Sequence, residues 1–512
     1  MVIAPSSAAS WPAAFWTAAR DGRAIWRSVL ALLLLSGIHC HGQDVAGAAE
    51  ERNETVKSPN LVFILVDDLG KEWIRSFGAE GIETPRLDAM AAEGMRMTNV
   101  YSMPQCTPSR VALLTGQYPY RNGWVNHWDV PRWGAGCHFD PSQYPYVLGK
   151  AIRDAGYATA IAGKWQIDDF RVEPNALDEA GFDDWCMWTG GEAGVPASDK
   201  RYWDPYVARR GKPSETLKGK FGPDVYNQFV LDFISEHQEK PFFVYYPMAL
   251  VHGPLVATPH DPEATGKLPR HRAMVRYMDY LVGRLIDHLR DLKLDRDTIV
   301  IWTTDNGTSR SITGTLDGRT VRGGKAQTTE NGVNAPTIVW GPGRIPAQTV
   351  SDALVDFTDF LPTLAELAGR PVDRSAQIDG RSVASVLVGD QESSGREWIL
   401  AMGGQNNAAV TPAGVENQWH FRDRVFRNER YKVFIGPDRK PEKLVDLRND
   451  LDETQNLIGQ ADADAQAFLQ TVQSTVSGML SQDKDPLYQP NPEQPWDRPV
   501  EHRSQVWKKG RP

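Results

Sequence analysis

The chain contains the run Pro59-Asn60-Leu61-Val62-Phe63-Ile64-Leu65-Val66-Asp67-Asp68-Leu69-Gly70. Its uninterrupted apolar part, from Leu61 to Val66, is typical of a strand that is buried on both faces of a parallel or mixed sheet. Two carboxylates, Asp67 and Asp68, follow where this strand ends. Ligands of such sheets bind beyond the carboxyl ends of the strands. The run therefore predicts a central strand and a polar site at its end.

Strands and helices alternate along the chain from this first strand to about residue 370. Apolar runs predict further buried strands at 157–162, 241–246, 298–304 and 337–340. Apolar residues at helical spacing, with capping residues, predict helices over 84–94, 146–155, 224–237, 270–292 and 360–367. This alternation predicts an α/β fold with a large mixed, mostly parallel central sheet flanked by helices.

The composition changes after about residue 403, where short apolar runs at 424–426, 431–435 and 444–447 precede a predicted helix over 462–480. These elements predict a smaller C-terminal antiparallel α+β domain. We expect a catalytic α/β domain over 55–402, the small domain over 403–482 and an extended tail over 483–512, which is rich in Pro, Gln and charged residues.

The N-terminus has the pattern of a signal peptide over 1–47. Three arginines precede an apolar run at 29–35, and small residues follow at 45–48. The run is shorter than the roughly 20 residues that span a bilayer, so no stable membrane span is expected. We therefore expect a secreted or periplasmic protein. Of the 4 cysteines, Cys137 and Cys186 either pair in an oxidising compartment or remain two buried thiols.

The net charge of −9 gives no general attraction to nucleic acid, so we expect no nucleic-acid partner and a site with local cations for any anionic substrate. A candidate is the segment Cys106-Thr107-Pro108-Ser109-Arg110, which Leu114-Thr115-Gly116 follow. Thr107 can cap a helix, Pro108 suits its first turn and Gly116 suits its end. Cys106 would then face the positive end of the helix dipole, which favours anions. The alternative is a buried structural cysteine.

Oxygen ligands follow two of the predicted strands. Asp67 and Asp68 end the first, and Asp305 and Asn306 end the strand at 298–304. Carboxylate and amide oxygens suit Ca²⁺ or Mg²⁺, although each pair alone could be a cap or a turn. Three carboxylates and a bound anion would exceed the charge of one divalent ion, so fixed cations are needed. The candidate cations are Arg110, Lys164 and Lys325, and His252 is the candidate general acid.

The cysteine segment resembles the signature of type I, formylglycine-dependent sulfatases of the alkaline phosphatase superfamily. Further similar segments lie at 60–70, 106–123, 163–165, 251–254, 303–307, 323–325 and 335–336. The resemblance implies that a formylglycine-generating enzyme converts Cys106 to formylglycine (3-oxoalanine), which hydrolyses a sulfate ester through a covalent formylglycine–sulfate intermediate. It also implies a metal site, with Ca²⁺ favoured over Mg²⁺, formed by Asp67, Asp68, Cys106, Asp305 and Asn306. It further implies a sulfate site formed by Arg110, Lys164, His252 and Lys325.

One departure from the family concerns Gln166, which stands where these sulfatases usually have a histidine and is expected only to contact sulfate. The Gly-rich stretch after Lys325 is altered as well, at 328–334. The implied function is a sulfuric ester hydrolase acting on a sulfated carbohydrate or another sulfated small molecule. Alternatives are a phosphonate or phosphate monoester hydrolase, an inactive protein that binds sulfated glycans, and a zinc-type hydrolase, whose His-rich ligand sets are not evident among the 11 His.

Overall fold

The computed structural model describes residues 58–127, 135–192, 198–373, 375–403, 408–411, 414–417, 421–484 and 487–492. The predicted signal peptide over 1–47, with Cys40, and the end of the predicted tail, 493–512, lie outside the described residues. Among the residues that are described, no helix has both the length and the apolar character needed to cross a bilayer.

The secondary structure is dominated by strands and eleven α-helices over the described ranges. The strands are β1 Asn60–Val66, β2 Met95–Met97, β3 Val100–Tyr101, β4 Ala135–Cys137, β5 Ala158–Lys164, β6 Asp184–Trp188, β7 Tyr206–Arg209, β8 Lys212–Thr216, β9 Phe242–Pro247, β10 Thr298–Thr304, β11 Thr313–Leu316, β12 Arg319–Arg322, β13 Thr337–Trp340, β14 Thr349–Ser351, β15 Val355–Asp356, β16 Ile399–Met402, β17 Ala408–Thr411, β18 Gly414–Asn417, β19 Arg424–Arg427, β20 Tyr431–Ile435, β21 Pro441–Asp446 and β22 Tyr488–Pro490. The helices are α1 Pro85–Ala92, α2 Cys106–Thr115, α3 Pro119–Asn122, α4 Leu148–Asp154, α5 Ala176–Glu179, α6 Gly222–Glu236, α7 Lys267–Asp291, α8 Glu330–Val333, α9 Phe360–Leu367, α10 Ala384–Leu387 and α11 Ala463–Gly478.

The central sheet has 10 strands in the order β14-β2-β13-β10-β1-β9-β5-β6-β7-β8. Strand β1 lies between β10 and β9 and is parallel to both, and β5 and β6 continue in the same direction. Strands β13 and β7 run in the direction opposite to that of the other described strands of this sheet. The predicted fold class, a large mixed and mostly parallel sheet with helices, is therefore confirmed.

The apolar run of β1 is uninterrupted because both faces of the strand are buried. Leu61, Phe63 and Leu65 contribute to one hydrophobic cluster, together with residues of α2, α4 and α9. The alternate residues Val62, Ile64 and Val66 contribute to a second cluster with α1, α6 and α7. Side chains alternate between the two faces of a strand, so each face of β1 needs apolar residues.

The predicted small antiparallel domain is also found, as a sheet in the order β16-β19-β20-β21 with α11 packed against it. This sheet includes β16, so it begins on the N-terminal side of the boundary predicted at 402/403. Its apolar residues belong to the same hydrophobic cluster as those of α2. In the predicted tail, β22 pairs with β4 in an antiparallel fashion.

The two remaining cysteines lie on different strands of the described structure. Cys137 is the last residue of β4, and Cys186 lies within β6. Both are buried thiols, and no disulfide joins them. Of the two predicted alternatives, the structure therefore has two buried thiols.

Candidate active site

Acidic and amide side chains meet at the carboxyl ends of β1 and β10. The register pairs Val66 with Thr304, so the residues that follow these two strands lie side by side. The backbone N–H of Asp68 donates to Asp305 Oδ1 at 3.2 Å, and Asn306 Nδ2 donates to Asp68 Oδ1 at 2.8 Å. Two pairs of residues that are far apart in the sequence are thus joined into one cluster.

This cluster has the donor atoms that a hard divalent cation requires. Asp67 Oδ1 and Asn306 Oδ1 are buried oxygens with no hydrogen-bond partner among the described residues. Unpartnered buried oxygens are unfavourable unless a ligand such as a metal ion satisfies them. Ligand atoms of Asp67, Asp68 and His252 also lie within 4.8 Å of one another. The residues present therefore fit a Ca²⁺ or Mg²⁺ ion.

Three cationic side chains surround the carboxylates. Lys164, the last residue of β5, places its Nζ against Asp67 Oδ2. Arg110 Nη2 donates to Asp305 Oδ2 at 2.8 Å and lies 3.6 Å from Asp67 Oδ2. Lys325 Nζ lies 2.5 Å from Asp68 Oδ1. Segments from three parts of the chain therefore bring positive charge to one site.

The proximity of these charges shifts the pKa values of the acidic groups. Burial would raise the pKa of Asp67, but Lys164, His252 and Arg110 together hold it well below the ordinary range. Burial and the adjacent Asp67 raise the pKa of Asp305, although Arg110 opposes this effect. Of these two carboxylates, Asp67 therefore holds its negative charge more firmly.

Cys106 is the first residue of α2 and is only 3% exposed. Burial raises the pKa of its thiol. Lys164 and Lys325 lower this pKa, whereas Asp67 and Asp305 raise it further. The charged side chains of the cluster therefore act on this thiol. The prediction that Thr107 caps the helix is wrong, because Gln105 is at the N-cap and Thr107 lies inside the first turn. The predicted end at Gly116 is found, with a left-handed φ of 65°.

His252 follows β9 and points its ring toward the acidic cluster. Its Nε2 lies 3.7 Å from Asp68 Oδ2, and its Nδ1 lies 2.7 Å from the carbonyl oxygen of Gly253, to which it can donate. The side chain is 28% exposed, so it borders solvent while touching the site. Burial lowers its pKa to about 4 despite the nearby Asp68.

Glycines next to the two lysines allow close backbone approaches. Gly163 has a φ of 117°, and a Cβ atom there would overlap the carbonyl oxygen of Pro247 on neighbouring β9. A Cβ at Gly323 would likewise overlap the carbonyl oxygens of Thr308 and Ser309. These close approaches restrict where the backbone beside Lys164 and Lys325 can lie.

Gln166 lies beside the cluster, with no direct contact to its carboxylates among the described residues. Its carbonyl oxygen accepts a hydrogen bond from Thr107 Oγ1 at 3.0 Å, and its amide Nε2 contacts His127 Nε2. His127 lies outside every motif, so the sequence alone does not identify it. Ser109 lies within the cysteine segment, but its role was not predicted: its hydroxyl donates to the carbonyl oxygen of Asp305 and so ties α2 to the end of β10.

The Sulfatase family model matches residues 59–370, which include every residue of this cluster. The chain belongs to the sulfatase family. It is similar to N-acetylgalactosamine-6-sulfatase of Canis lupus familiaris, with 34% identity over 382 residues that cover 70% of this chain and 70% of that protein. It is also 27% identical to N-acetylgalactosamine-6-O-sulfatase of Bacteroides thetaiotaomicron over 482 residues, covering 80% of this chain and 92% of the relative.

Solved structures agree with the fold of this sulfatase. The crystal structure of Ps i-CgsB has a TM-score of 0.68 and 21% sequence identity, and it covers 89% of this chain and 98% of that one. At this identity the likeness concerns the fold alone. Together with the sequence relatives, the family match identifies the protein as a sulfatase, an enzyme that hydrolyses sulfate esters.

Proposed function

We propose that this sulfatase removes sulfate from a sulfated carbohydrate and that formylglycine formed from Cys106 is its nucleophile. The observation that carries the proposal is that Arg110 and Lys164 pair with Asp305 and Asp67, and that the charges of this cluster act on the buried Cys106 thiol at the start of α2. A hydrated aldehyde at this position would supply a hydroxyl nucleophile, which divides one difficult displacement into two easier steps.

The proposed metal ligands are Asp67, Asp68, Asp305 and Asn306, together with residue 106 after its modification. A bound Ca²⁺ would act as a Lewis acid on the sulfate and balance the charge of the carboxylates. We favour Ca²⁺ because Mg²⁺ demands near-ideal octahedral geometry and gives up its water reluctantly. The two unpartnered oxygens, Asp67 Oδ1 and Asn306 Oδ1, support this assignment.

The proposed sulfate contacts are the cations that border the cluster. Lys164 and Arg110 are fully buried, so their charges act at a low local dielectric and interact strongly with an anion. Lys325 is partly exposed and lies where a substrate could enter. Fixed donors aimed at a developing negative charge typically contribute several kcal/mol to transition-state stabilisation.

His252 is the proposed general acid. With Nδ1–H donated to the Gly253 carbonyl oxygen, Nε2 is the ring atom that faces the site. Because burial lowers the pKa of His252 to about 4, Nε2 carries no proton near neutral pH when the substrate is absent. We propose that the negative charge of the bound sulfate raises this pKa, so that Nε2 becomes protonated and transfers its proton to the departing alcohol oxygen. Its partial exposure suits contact with the leaving group, which must extend toward solvent when it belongs to a glycan.

Two relatives named for N-acetylgalactosamine 6-sulfate groups support a carbohydrate substrate. The N-terminal segment over 1–47 supports export, and we propose that the protein is secreted or periplasmic. Maturation would then require a formylglycine-generating enzyme as a partner in the producing cell.

The experiment combines mass spectrometry with product analysis. The protein is produced with a formylglycine-generating enzyme, and the mass of the peptide containing residue 106 establishes the modification. Sulfate release is then measured on N-acetylgalactosamine 6-sulfate and on an aryl sulfate, in parallel with an aryl phosphate and an aryl phosphonate. We expect sulfate release that the Cys106→Ala variant lacks. Preferential hydrolysis of the phosphate or phosphonate, or binding of sulfated sugar without turnover by modified protein, would contradict the proposal.

A further inference from the structure

Gln166 is fixed against the first turn of the helix that carries Cys106. Its φ of 67° is left-handed, a conformation that is uncommon for a residue other than glycine and is concentrated at functional sites. The carbonyl oxygen accepts the hydrogen bond from Thr107 Oγ1, which is fully buried and adjacent in sequence to Cys106. Lys164, two residues earlier, contacts Asp67. The backbone of Gln166 is therefore held between two parts of the site.

The side chain of Gln166 is held from the other direction by His127. The amide Nε2–H of Gln166 donates to His127 Nε2, so a neutral His127 carries its proton on Nδ1. The nitrogen and oxygen ends of an amide have nearly the same shape, and a hydrogen-bond partner determines which end points where. An amide nitrogen has two hydrogens, so a second N–H of Gln166 remains for another acceptor.

We propose that His127 is a positioning residue, which orients Gln166 so that its second amide N–H donates to an oxygen of the substrate sulfate. This inference rests on the proposed function. A neutral donor suits this place because Arg110, Lys164 and Lys325 are already matched by the three carboxylates. The amide adds a hydrogen bond to the anion without adding charge. It also donates in every protonation state of the site, because it does not titrate.

The test compares single and double variants of the modified protein. His127→Ala and Gln166→Ala are each expected to lower kcat/KM by about tenfold, the effect of one hydrogen bond to an anion. The double variant is expected to lose no more than either single variant, because both changes remove the same oriented donor. His237→Ala is the matched control. Like His127, His237 is partly buried, but its ring contacts the carbonyl oxygen of Phe233, away from the proposed site. Effects that multiply in the double variant would overturn the proposal.

A conservative variant separates orientation from proton transfer. In His127→Gln, a side-chain oxygen can accept the Gln166 N–H but cannot titrate near neutral pH. We expect it to retain most of the kcat/KM that His127→Ala loses, with unfolding temperatures that match the wild type. If His127→Gln is as impaired as His127→Ala, the imidazole itself is needed and the positioning role is wrong.

Binding of inorganic sulfate gives a readout that is independent of turnover. In a Cys106→Ala background with Ca²⁺ present, calorimetry is expected to give a sulfate dissociation constant about tenfold higher after His127→Ala or Gln166→Ala. The His127 inference would be overturned if the His127 and Gln166 substitutions left both sulfate affinity, in the Cys106→Ala background, and kcat/KM, in the modified protein, unchanged. The proposed function would stand in that case, provided that the wild-type enzyme releases sulfate. A wild-type protein that releases no sulfate from any ester overturns the proposed function instead.

Discussion

Asp67 illustrates how a fully buried carboxylate is kept ionised. Removal from water disfavours its charged form, but Lys164, His252 and Arg110 lie close enough to outweigh that effect. One of its oxygens, Oδ2, meets Lys164 and Arg110, whereas the other, Oδ1, has no hydrogen-bond partner in the described structure. A single side chain thus both pairs with the cations and leaves one oxygen for the proposed metal ion.

Replacing Asp67 should therefore weaken metal binding. Ca²⁺ at 100 times its dissociation constant should stabilise the wild-type protein by about 2.7 kcal/mol, because only the folded state binds it. We expect Asp67→Asn to show a much smaller rise in unfolding temperature over the same Ca²⁺ titration. The exposed Asp154→Asn should behave as the wild type. Equal Ca²⁺ responses in the Asp67 variant and the wild type would exclude Asp67 as a ligand.

Lys164 should matter for catalysis as well as for stability. Lys164→Met leaves the buried Asp67 without its closest cation and removes the proposed donor to the sulfate. We expect kcat/KM to fall by about 10²–10³-fold, the usual effect of removing one preorganised donor to a developing charge. Lys150→Met, on the exposed face of α4, is the control for the loss of a lysine. Sulfate-release kinetics measure both, and a change below threefold would be inconsistent with sulfate contact by Lys164.

At the scale of secondary structure, the end of β5 shows how a strand is shaped to deliver one side chain. Gly163 combines a left-handed φ with a close approach to the Pro247 carbonyl oxygen on β9. Any larger residue would push β5 away from β9 and move Lys164 with it. The strand therefore carries a glycine at the position immediately before its functional lysine.

This geometry predicts a difference between two glycine substitutions. Gly163→Ala should lower the free energy of unfolding by about 2–4 kcal/mol, because it adds steric overlap to an unfavourable φ. Gly156→Ala, with a φ of 91° and no atom near its added Cβ, should lower it by only about 1 kcal/mol. Chemical denaturation of both variants gives the comparison. Equal losses would show that the backbone conformation, and not the overlap with Pro247, dominates at position 163.

The long elements were predictable from the sequence, whereas the short ones were not. The apolar run of β1 and the helical spacing of α7 predict both elements within a few residues of their observed bounds. Strands such as β2 and β14 have three residues each and pair across a long sequence separation, so no local pattern identifies them. In the site, the residues that belong to motifs were predictable. His127 was not, because it lies outside every motif and only the folded chain brings it to Gln166.

At the scale of the whole molecule, a buried ion network joins the small C-terminal sheet to the catalytic part. Lys432 on β20 is fully buried and lies 3.2 Å from Glu330 Oε1 and 2.8 Å from Glu453 Oε1. Glu330 begins α8, in the segment that follows Lys325, and its backbone N–H donates to Glu453 Oε2 at 2.8 Å. Two acidic residues from different parts of the chain therefore share one lysine.

Removing that lysine should destabilise the protein strongly. Lys432→Met leaves Glu330 and Glu453 buried beside each other with less compensating charge, and we expect a loss of about 3–5 kcal/mol in the free energy of unfolding. Lys440→Met removes an exposed ion pair with Asp438 and should change it by less than about 1 kcal/mol. Denaturant unfolding measures both values. Similar small effects in the two variants would mean that the network contributes little.

The near-complete burial of Cys106 has a consequence for biosynthesis. An enzyme that oxidises this thiol cannot reach it once α2 has packed against the central sheet. Since α2 shares its hydrophobic cluster with strands encoded far downstream, at 399–446, that packing is completed only late in translation. The proposed oxidation of Cys106 would therefore have to take place on the nascent or unfolded chain, and protein that folded before this modification would lack the proposed nucleophile.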